Sequence, residues 1–133
     1  MMDRDRSLLD LRPVLATEPA QTDAETFLHQ TLRPVLKLQN AAILDVVAAD
    51  VAKRIPGFAT FDPADQNHRL VRLMKQDARM KRVVLGLVLG MLTAEERAYA
   101  LANEAEVRRR IGMLATERVA SQTGAIAERV ATA

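Results

Sequence analysis

The chain contains two histidines, and each follows a carboxylate at helical spacing. Glu25 lies four residues before His29, and Asp65 lies three residues before His68. Carboxylate–histidine pairs on facing helices are typical of the carboxylate-bridged di-metal bundles. These four residues are therefore the candidate metal ligands, and a metal-dependent helical-bundle enzyme is one alternative function for the chain.

A complete di-metal site requires further carboxylates that point into the same interior. Asp45, Asp50 and Asp77 are the only plausible donors. Glu25 and Asp65 also fall in the first turns of predicted helices, where the helix dipole stabilises a negative charge without any metal. We therefore expect no metal and no cofactor, and we interpret both pairs as features of helix starts.

A basic stripe in the second half of the chain has the spacing of a helix face. Arg72, Lys75, Arg79 and Arg82 would share one side of a continuous helix, with Arg69 beside them. Such a face can contact the phosphates of nucleic acids. However, 19 basic residues against 17 acidic ones leave a net charge of only +2, and no aromatic stacking residues lie among the basic ones. Nucleic-acid binding is therefore an alternative and not the leading prediction.

Nucleophilic catalysis has little support in the sequence. There is no cysteine, and Ser7 and Ser121 lie in the predicted arm and at a predicted helix end. No glycine-rich phosphate loop or dinucleotide fingerprint is present. The sequence therefore provides no catalytic residue, and it favours a protein without enzymatic activity.

The apolar stretch Val83–Leu92 carries Gly86 and Gly90, two glycines at a spacing of four residues. Glycines four apart lie on one helix face, where they let a second helix approach closely. Each glycine costs up to about 1 kcal/mol of helix propensity relative to alanine, so we expect close packing to offset this cost. The contacting helix could belong to the same chain or to a second copy. The stretch is much shorter than the roughly 20 residues that span a bilayer, so we expect no membrane partner.

Helices that begin with good capping residues must position these side chains. Thr22-Asp23-Ala24-Glu25 is a capping box, and the helical pattern that follows runs to Pro56-Gly57. Pro34 interrupts this pattern, because proline removes a backbone hydrogen bond and crowds the preceding turn. We expect the first long helix to be kinked or broken at Pro34.

The second half of the chain shows three further helix starts. Asp62-Pro63 opens a helix with a cap followed by proline at the first helical position. Asp77 would either pair with an arginine on an apolar face or cap a new helix, and we favour the cap. Thr93-Ala94-Glu95-Glu96 is a second capping box, and Asn103 offers another cap before a helix that ends near Ser121.

These elements predict an all-α protein, a compact bundle of about five or six helices joined by short connections. Residues 1–21 would form an N-terminal arm that is either loosely ordered or docked through its leucines on the body or a second copy. Residues 22–124 would form the bundle domain, and residues 125–133 a frayed tail. The mixed charges of the first residues are not those of a signal peptide, so we expect a cytoplasmic protein.

Several segments resemble a family of small, all-helical bacterial proteins without a known activity. The resemblance covers residues 25–122 and rests on Thr31-Leu32-Arg33-Pro34-Val35-Leu36-Lys37-Leu38-Gln39, Gly86-x-x-x-Gly90-x-x-Thr93-x-Glu95-Glu96 and Asn103. It implies a compact helical unit and brings no activity or site residues. Our leading prediction is a structural or protein-interaction module that self-associates, with a homodimer favoured, or that binds a partner protein through apolar helix faces.

Overall fold

The computed structural model describes residues 2–16 and 20–133, and every regular element in those ranges is helical. In chain order the α-helices are α1 (Met2–Leu11), α2 (Asp23–Phe27), α3 (Arg33–Leu38), α4 (Asn40–Arg54), α5 (Pro63–Gln76), α6 (Ala78–Leu89), α7 (Ala94–Ala102), α8 (Glu104–Ser121) and α9 (Thr123–Thr132). A π-helical stretch, Leu28–Leu32, joins α2 to α3, and a 3₁₀ turn, Phe58–Thr60, precedes α5. The predicted all-α class is confirmed.

The helices are more numerous and shorter than predicted because single residues separate several neighbours. The separating residues are Gln39, Asp77, Asn103 and Gln122. At Asn103 the backbone has φ −124° and ψ 40°, and at Gln122 it has φ −125° and ψ 32°, outside the helical range. One such residue redirects the helix axis without a loop. The breaks at Asp77 and Asn103 match the predicted helix starts.

The backbone remains helical at Pro34, which is buried within α3. The first long helix is interrupted by the π-helical stretch Leu28–Leu32 before this proline, and its break lies after it, at Gln39. Proline lacks an amide hydrogen and crowds the carbonyl four residues earlier, at Gln30, which lies within the π-helical stretch. The predicted kink at Pro34 itself stays a prediction.

Three of the predicted caps, at Asp62, Asp77 and Thr93, form as expected, and the one at Asn103 does not. Thr93 and Glu96 make the complete capping box, in which each side chain accepts a hydrogen bond from the other residue's amide. The Asp77 carboxylate accepts from the third amide of α6 at 2.7 Å. Asn103 makes no side-chain cap, because its Nδ2 donates to the Tyr99 carbonyl of the preceding helix.

One hydrophobic core runs through the bundle. Its fully buried large side chains include Phe58, Leu32, Leu36, Ile43, Leu70, Leu92, Ile111 and Ile126. α8 packs against α5 and α6, whereas α9 packs against α4 and α5. No helix in the described ranges has both the length and the apolar character that crossing a bilayer demands. The packing of α8 on two consecutive helices creates the surface described below.

The carboxyl-terminal end differs from the predicted frayed tail. The chain turns at Gln122 and continues as α9, whose Ile126 is completely buried. The Arg129 guanidinium also donates to the Asp45 carboxylate of α4 at 2.8 Å. The bundle therefore extends through residue 132 rather than ending at 124, because the turn at Gln122 returns the last apolar residues to the core.

The N-terminal arm is docked, but its leucines do not carry the contact. Arg4, Asp5 and Arg12 reach the chain between α6 and α7, whereas Leu9 and Leu11 are 49% and 59% exposed. The parts of the predicted arm at residues 1 and 17–19 lie outside the described residues. The contacts of this segment with the rest of the chain are thus polar and not apolar.

Candidate functional site

The four candidate metal ligands do not converge on a common site. Glu25 lies in α2 and His29 in the π-helical stretch, whereas Asp65 and His68 lie near the start of α5. Within the described ranges, no three His, Asp or Glu side chains are grouped closely enough to hold a metal ion. The carboxylate–histidine spacing is therefore a local helical pattern here.

The capping role of Glu25 is present in a modified form. The Thr22 hydroxyl accepts from the Glu25 amide at 3.1 Å, as a capping box requires. The Glu25 carboxylate, however, accepts from the amide of Gln21 at 2.9 Å and not from that of Thr22. Both groups stabilise the helix start, so the carboxylate is already accounted for by local structure.

The basic stripe does not form one face, and the helix break at Asp77 lies between its members Lys75 and Arg79. Arg69 and Arg72, which precede the break, line a surface cavity of about 450 Å³. Lys75 and Arg82 instead line a larger groove on α5, α6 and α8. The continuous helix that would have aligned the stripe does not form, and its members line different parts of the surface.

Arg79, the remaining member of the stripe, belongs to a charged cluster between α4 and α6. Its guanidinium lies 3.3 Å from Asp50, and Arg54 bonds both Asp50 and Asp77, at 3.1 and 2.7 Å. Hydrogen bonds from the Met80 amide and from Arg54 hold the pKa of Asp77 below its usual range. Asp77 thus both caps α6 and pairs with an arginine, the two alternatives that the sequence left open.

The glycine face of α6 is open. A Cβ built on Gly86 would meet no atom within 4 Å, and one built on Gly90 would meet only the Gly86 carbonyl, at 3.1 Å. Arg4 of α1 contacts the Gly90 carbonyl, at 3.0 Å, and not the open side of the two glycines. The close helix contact expected at Gly86 and Gly90 stays a prediction.

A groove of about 900 Å³ lies on α5, α6 and α8. Its apolar lining includes Val71, Met74, Val84, Leu85, Ile111 and Met113. Met74, Val84 and Ile111 belong to the buried core, whereas Met113 is 42% exposed at the surface. The groove is thus an opening onto the core and not a separate pocket in loops.

Small residues of α8 form one side of this groove. Ala105, Gly112, Thr116 and Ala120 all line it. They span about 22 Å along α8 at 1.5 Å per residue. A Cβ added to Gly112 would meet nothing within 4 Å, so the surface above this glycine is open. Small side chains in a row allow the backbone of another helix to approach closely.

Basic residues dominate the charged edge of the groove. Its five cations are Lys75, Lys81, Arg82, Arg108 and Arg109. Glu117 is the one carboxylate residue that lines it. Charged edges around an apolar floor select partners of the opposite charge and orient them. The groove is therefore suited to an apolar surface bordered by negative charge.

The positive charge of the groove is unevenly distributed between its two walls. On α8, Arg108 pairs with Glu104, and Arg109 pairs with Glu106 at 2.9 Å. The wall formed by α5 and α6 carries Lys75, Lys81 and Arg82, none of which has an ion-pair partner among the residues the structure describes. The α5–α6 wall is therefore the more strongly cationic one.

Comparison with known proteins gives no guide to this surface. No protein-family model matches the chain, and no curated protein or solved structure is significantly similar to it. The geometry of the groove therefore carries the functional argument.

The groove was not predicted from the sequence, although a signal for it was present. Ala105, Gly112, Thr116 and Ala120 are separated by seven, four and four residues, which places them on one helix face. Such a face of small residues does not by itself indicate a binding site. Its importance appears only when α5 and α6 supply the opposite wall.

Proposed function

We propose that this chain is a protein-interaction module whose groove binds an amphipathic, acidic helix of a partner protein. The observation that carries the proposal is the combination, in one open groove, of an apolar floor, a row of small residues and a cationic wall. Binding of an amphipathic helix in a hydrophobic groove is a recurrent mode of protein recognition.

The shape of the groove favours a helical occupant. The small residues from Ala105 to Ala120 extend for about 22 Å, the length of a helix of about 15 residues. Apolar side chains at positions i, i+3, i+4 and i+7 of such a helix would contact Val71, Leu85 and Met113, the accessible part of the apolar lining. The open space above Gly112 would accept the closest approach of the two backbones.

The charge of the groove favours an acidic partner over a second copy of the chain through the same face. Two identical grooves facing each other would bring the cationic α5–α6 walls together, and like charges at an interface are unfavourable. A partner helix with acidic residues along one flank would instead face Lys75, Lys81 and Arg82. This arrangement also fixes the orientation of the partner in the groove.

Two synthetic peptides of about 18 residues test the proposal. Both carry leucines at i, i+3, i+4 and i+7; one has glutamates along a flank and the other has lysines at the same positions. Fluorescence anisotropy should show that the acidic peptide binds at least about tenfold more tightly, and that its affinity falls with added salt. Equal affinity for both peptides, or none for either, would reject the proposed recognition.

Self-association through the glycine face of α6 is a second candidate, favoured by the open surface above Gly86. Because neither glycine has a side chain, a helix of a second copy could pack closely there. Sedimentation equilibrium at micromolar concentrations should detect a dimer that Gly86→Leu dissociates, because leucine would hold the two helices apart. A dimer that persists unchanged in this variant would place the interface elsewhere.

A further inference from the structure

Two arginines face a second cavity, on the side of α8 near α3. Arg33 and Arg118 line this cavity of about 350 Å³ together with Leu36 and Leu114. Pockets for small ligands range from about 300 to 1,000 Å³. The cavity therefore has room for a small molecule, with charge on one part of its lining and aliphatic carbon on another.

Arg118 is positioned by a pair of amide side chains. Asn40 Nδ2 donates to Gln122 Oε1 at 2.8 Å, and Gln122 Nε2 donates back to Asn40 Oδ1 at 2.7 Å. The Arg118 guanidinium donates to the same Asn40 oxygen at 3.3 Å. This reciprocal pair links α4 to the residue between α8 and α9, and it restricts the orientation of Arg118.

The two guanidinium groups repel each other. Burial lowers the pKa of Arg118, and the positive charge of Arg33 lowers it further. Within residues 2–16 and 20–133, neither arginine forms an ion pair. An anion between them would remove the repulsion and accept hydrogen bonds from both.

We propose that this cavity binds a small phosphate-bearing molecule, with the phosphate between Arg33 and Arg118. Two guanidiniums provide planar sets of donors suited to phosphate oxygens. Leu36 and Leu114 are 0% and 4% exposed, so the phosphate and not an apolar contact carries the binding. Glu117 also lines the cavity, and its carboxylate opposes the binding of an anion. Glu117 lines the helix-binding groove as well, but neither arginine does, so the two sites use different basic residues.

Isothermal titration with glycerol 3-phosphate, inorganic phosphate and glycerol tests this proposal. Glycerol 3-phosphate and inorganic phosphate should both bind, and glycerol should not. Arg33→Gln and Arg118→Gln should each weaken the ester by about tenfold or more, because each removes charged hydrogen bonds. The exposed Arg72→Gln, which removes the same charge elsewhere, should change the affinity little. Absence of ester binding, or equal losses in all three variants, would overturn the proposal.

Two further variants keep the test decisive if Arg118→Gln fails to fold. Arg118→Lys retains the positive charge but lacks the planar donors, so it should bind the ester more weakly than the native chain. Glu117→Gln removes the opposing carboxylate and should tighten binding severalfold. Binding of glycerol as tight as that of the ester would show that the phosphate does not carry the binding, and would reject the site. Unchanged affinity in Glu117→Gln would contradict the assigned location.

Discussion

Arg12 and Glu96, 84 residues apart in the chain, form a two-point ion pair that attaches the N-terminal arm to α7. Nη1 of Arg12 lies 2.7 Å from one carboxylate oxygen and Nη2 lies 2.5 Å from the other. The side chains are only 7% and 17% exposed. The same carboxylate accepts from the Thr93 amide and from the Thr31 hydroxyl. Glu96 thus joins the arm, the start of α7 and the π-helical stretch.

α1 places charged side chains of opposite sign at two helix ends, the end of α6 and the start of α7. The Arg4 guanidinium donates to the carbonyls of Gly90 and Leu92, where α6 ends and its dipole is negative. The Asp5 carboxylate accepts from the Ala94 amide, where α7 begins and its dipole is positive. Docking of the arm therefore satisfies polar backbone groups that the turn between α6 and α7 leaves open.

Arg12→Ala should lower the free energy of unfolding by roughly 1.5–3 kcal/mol, because hydrogen bonds to a charged partner are lost in a largely buried place. Arg6→Ala, an exposed position on α1, should change it by no more than about 0.5 kcal/mol. Urea unfolding followed by circular dichroism measures both. Equal effects of the two substitutions would show that the arm is not held by Arg12.

Stability should fall in acid as Glu96 becomes protonated. Burial of this carboxylate raises its pKa, but hydrogen bonds from Arg12, Thr93 and Thr31 outweigh burial and hold the pKa below its usual value. A lowered pKa in the folded state gives stability that is complete above the pKa of the unfolded chain and is lost as the pH falls through the folded value. In Glu96→Gln, the loss of stability between neutral and acidic pH should be smaller than in the native chain. An identical pH profile would contradict this role.

Asp77→Ala should destabilise the chain by about 1 kcal/mol, because it removes the cap of α6 and one partner of Arg54. Asp65→Ala is the matched control, since Asp65 forms only an exposed ion pair with Arg69. Such pairs contribute little. In thermal unfolding, Asp77→Ala should have a clearly lower midpoint temperature than Asp65→Ala. The reverse order would exclude the capping role of Asp77.

Gly86→Ala should raise stability by up to about 1 kcal/mol, because alanine has the higher helix propensity and its Cβ has free space at this position. Gly57→Ala should do the opposite, since Gly57 has a φ of 79°, which alanine adopts only with strain. The denaturant concentration at the midpoint of unfolding, compared with that of the native chain, measures the effect of each substitution. A loss of stability in Gly86→Ala would indicate that another molecule already occupies the glycine face.

The helix starts were largely predictable because their signals are local. The Asp62-Pro63 start, the Thr93 capping box and the break at Asp77 each depend on atoms within a few residues. The end of α8 at Ser121 was predicted as well, whereas the break at Gln39 carries no proline or glycine. Nothing in the local sequence distinguishes Gln39 from a helical glutamine, because local propensity is a weak guide where tertiary packing decides.

The candidate site could not be predicted because it depends on two helices that meet across the fold. The basic stripe was identified as a sequence pattern, but Arg69 and Lys75, which are both on α5, line different surfaces. The small residues of α8 form one side of a groove only because the cationic wall of α5 and α6 lies opposite them. Likewise, Arg12 and Glu96 are each ordinary surface residues in sequence, and only the docked arm brings them together.

The most direct test of the proposed groove is a chemical-shift titration of the labelled chain with the acidic peptide, repeated with Gly112→Leu and Gly86→Leu. Both variants place the same bulky side chain on an open glycine, but only Gly112 lies in the groove. In the native chain and in Gly86→Leu, shifts should be confined to α5, α6 and α8 and should saturate, whereas Gly112→Leu should show none. Saturating shifts that persist in Gly112→Leu, or that map to other helices, would contradict helix binding in this groove.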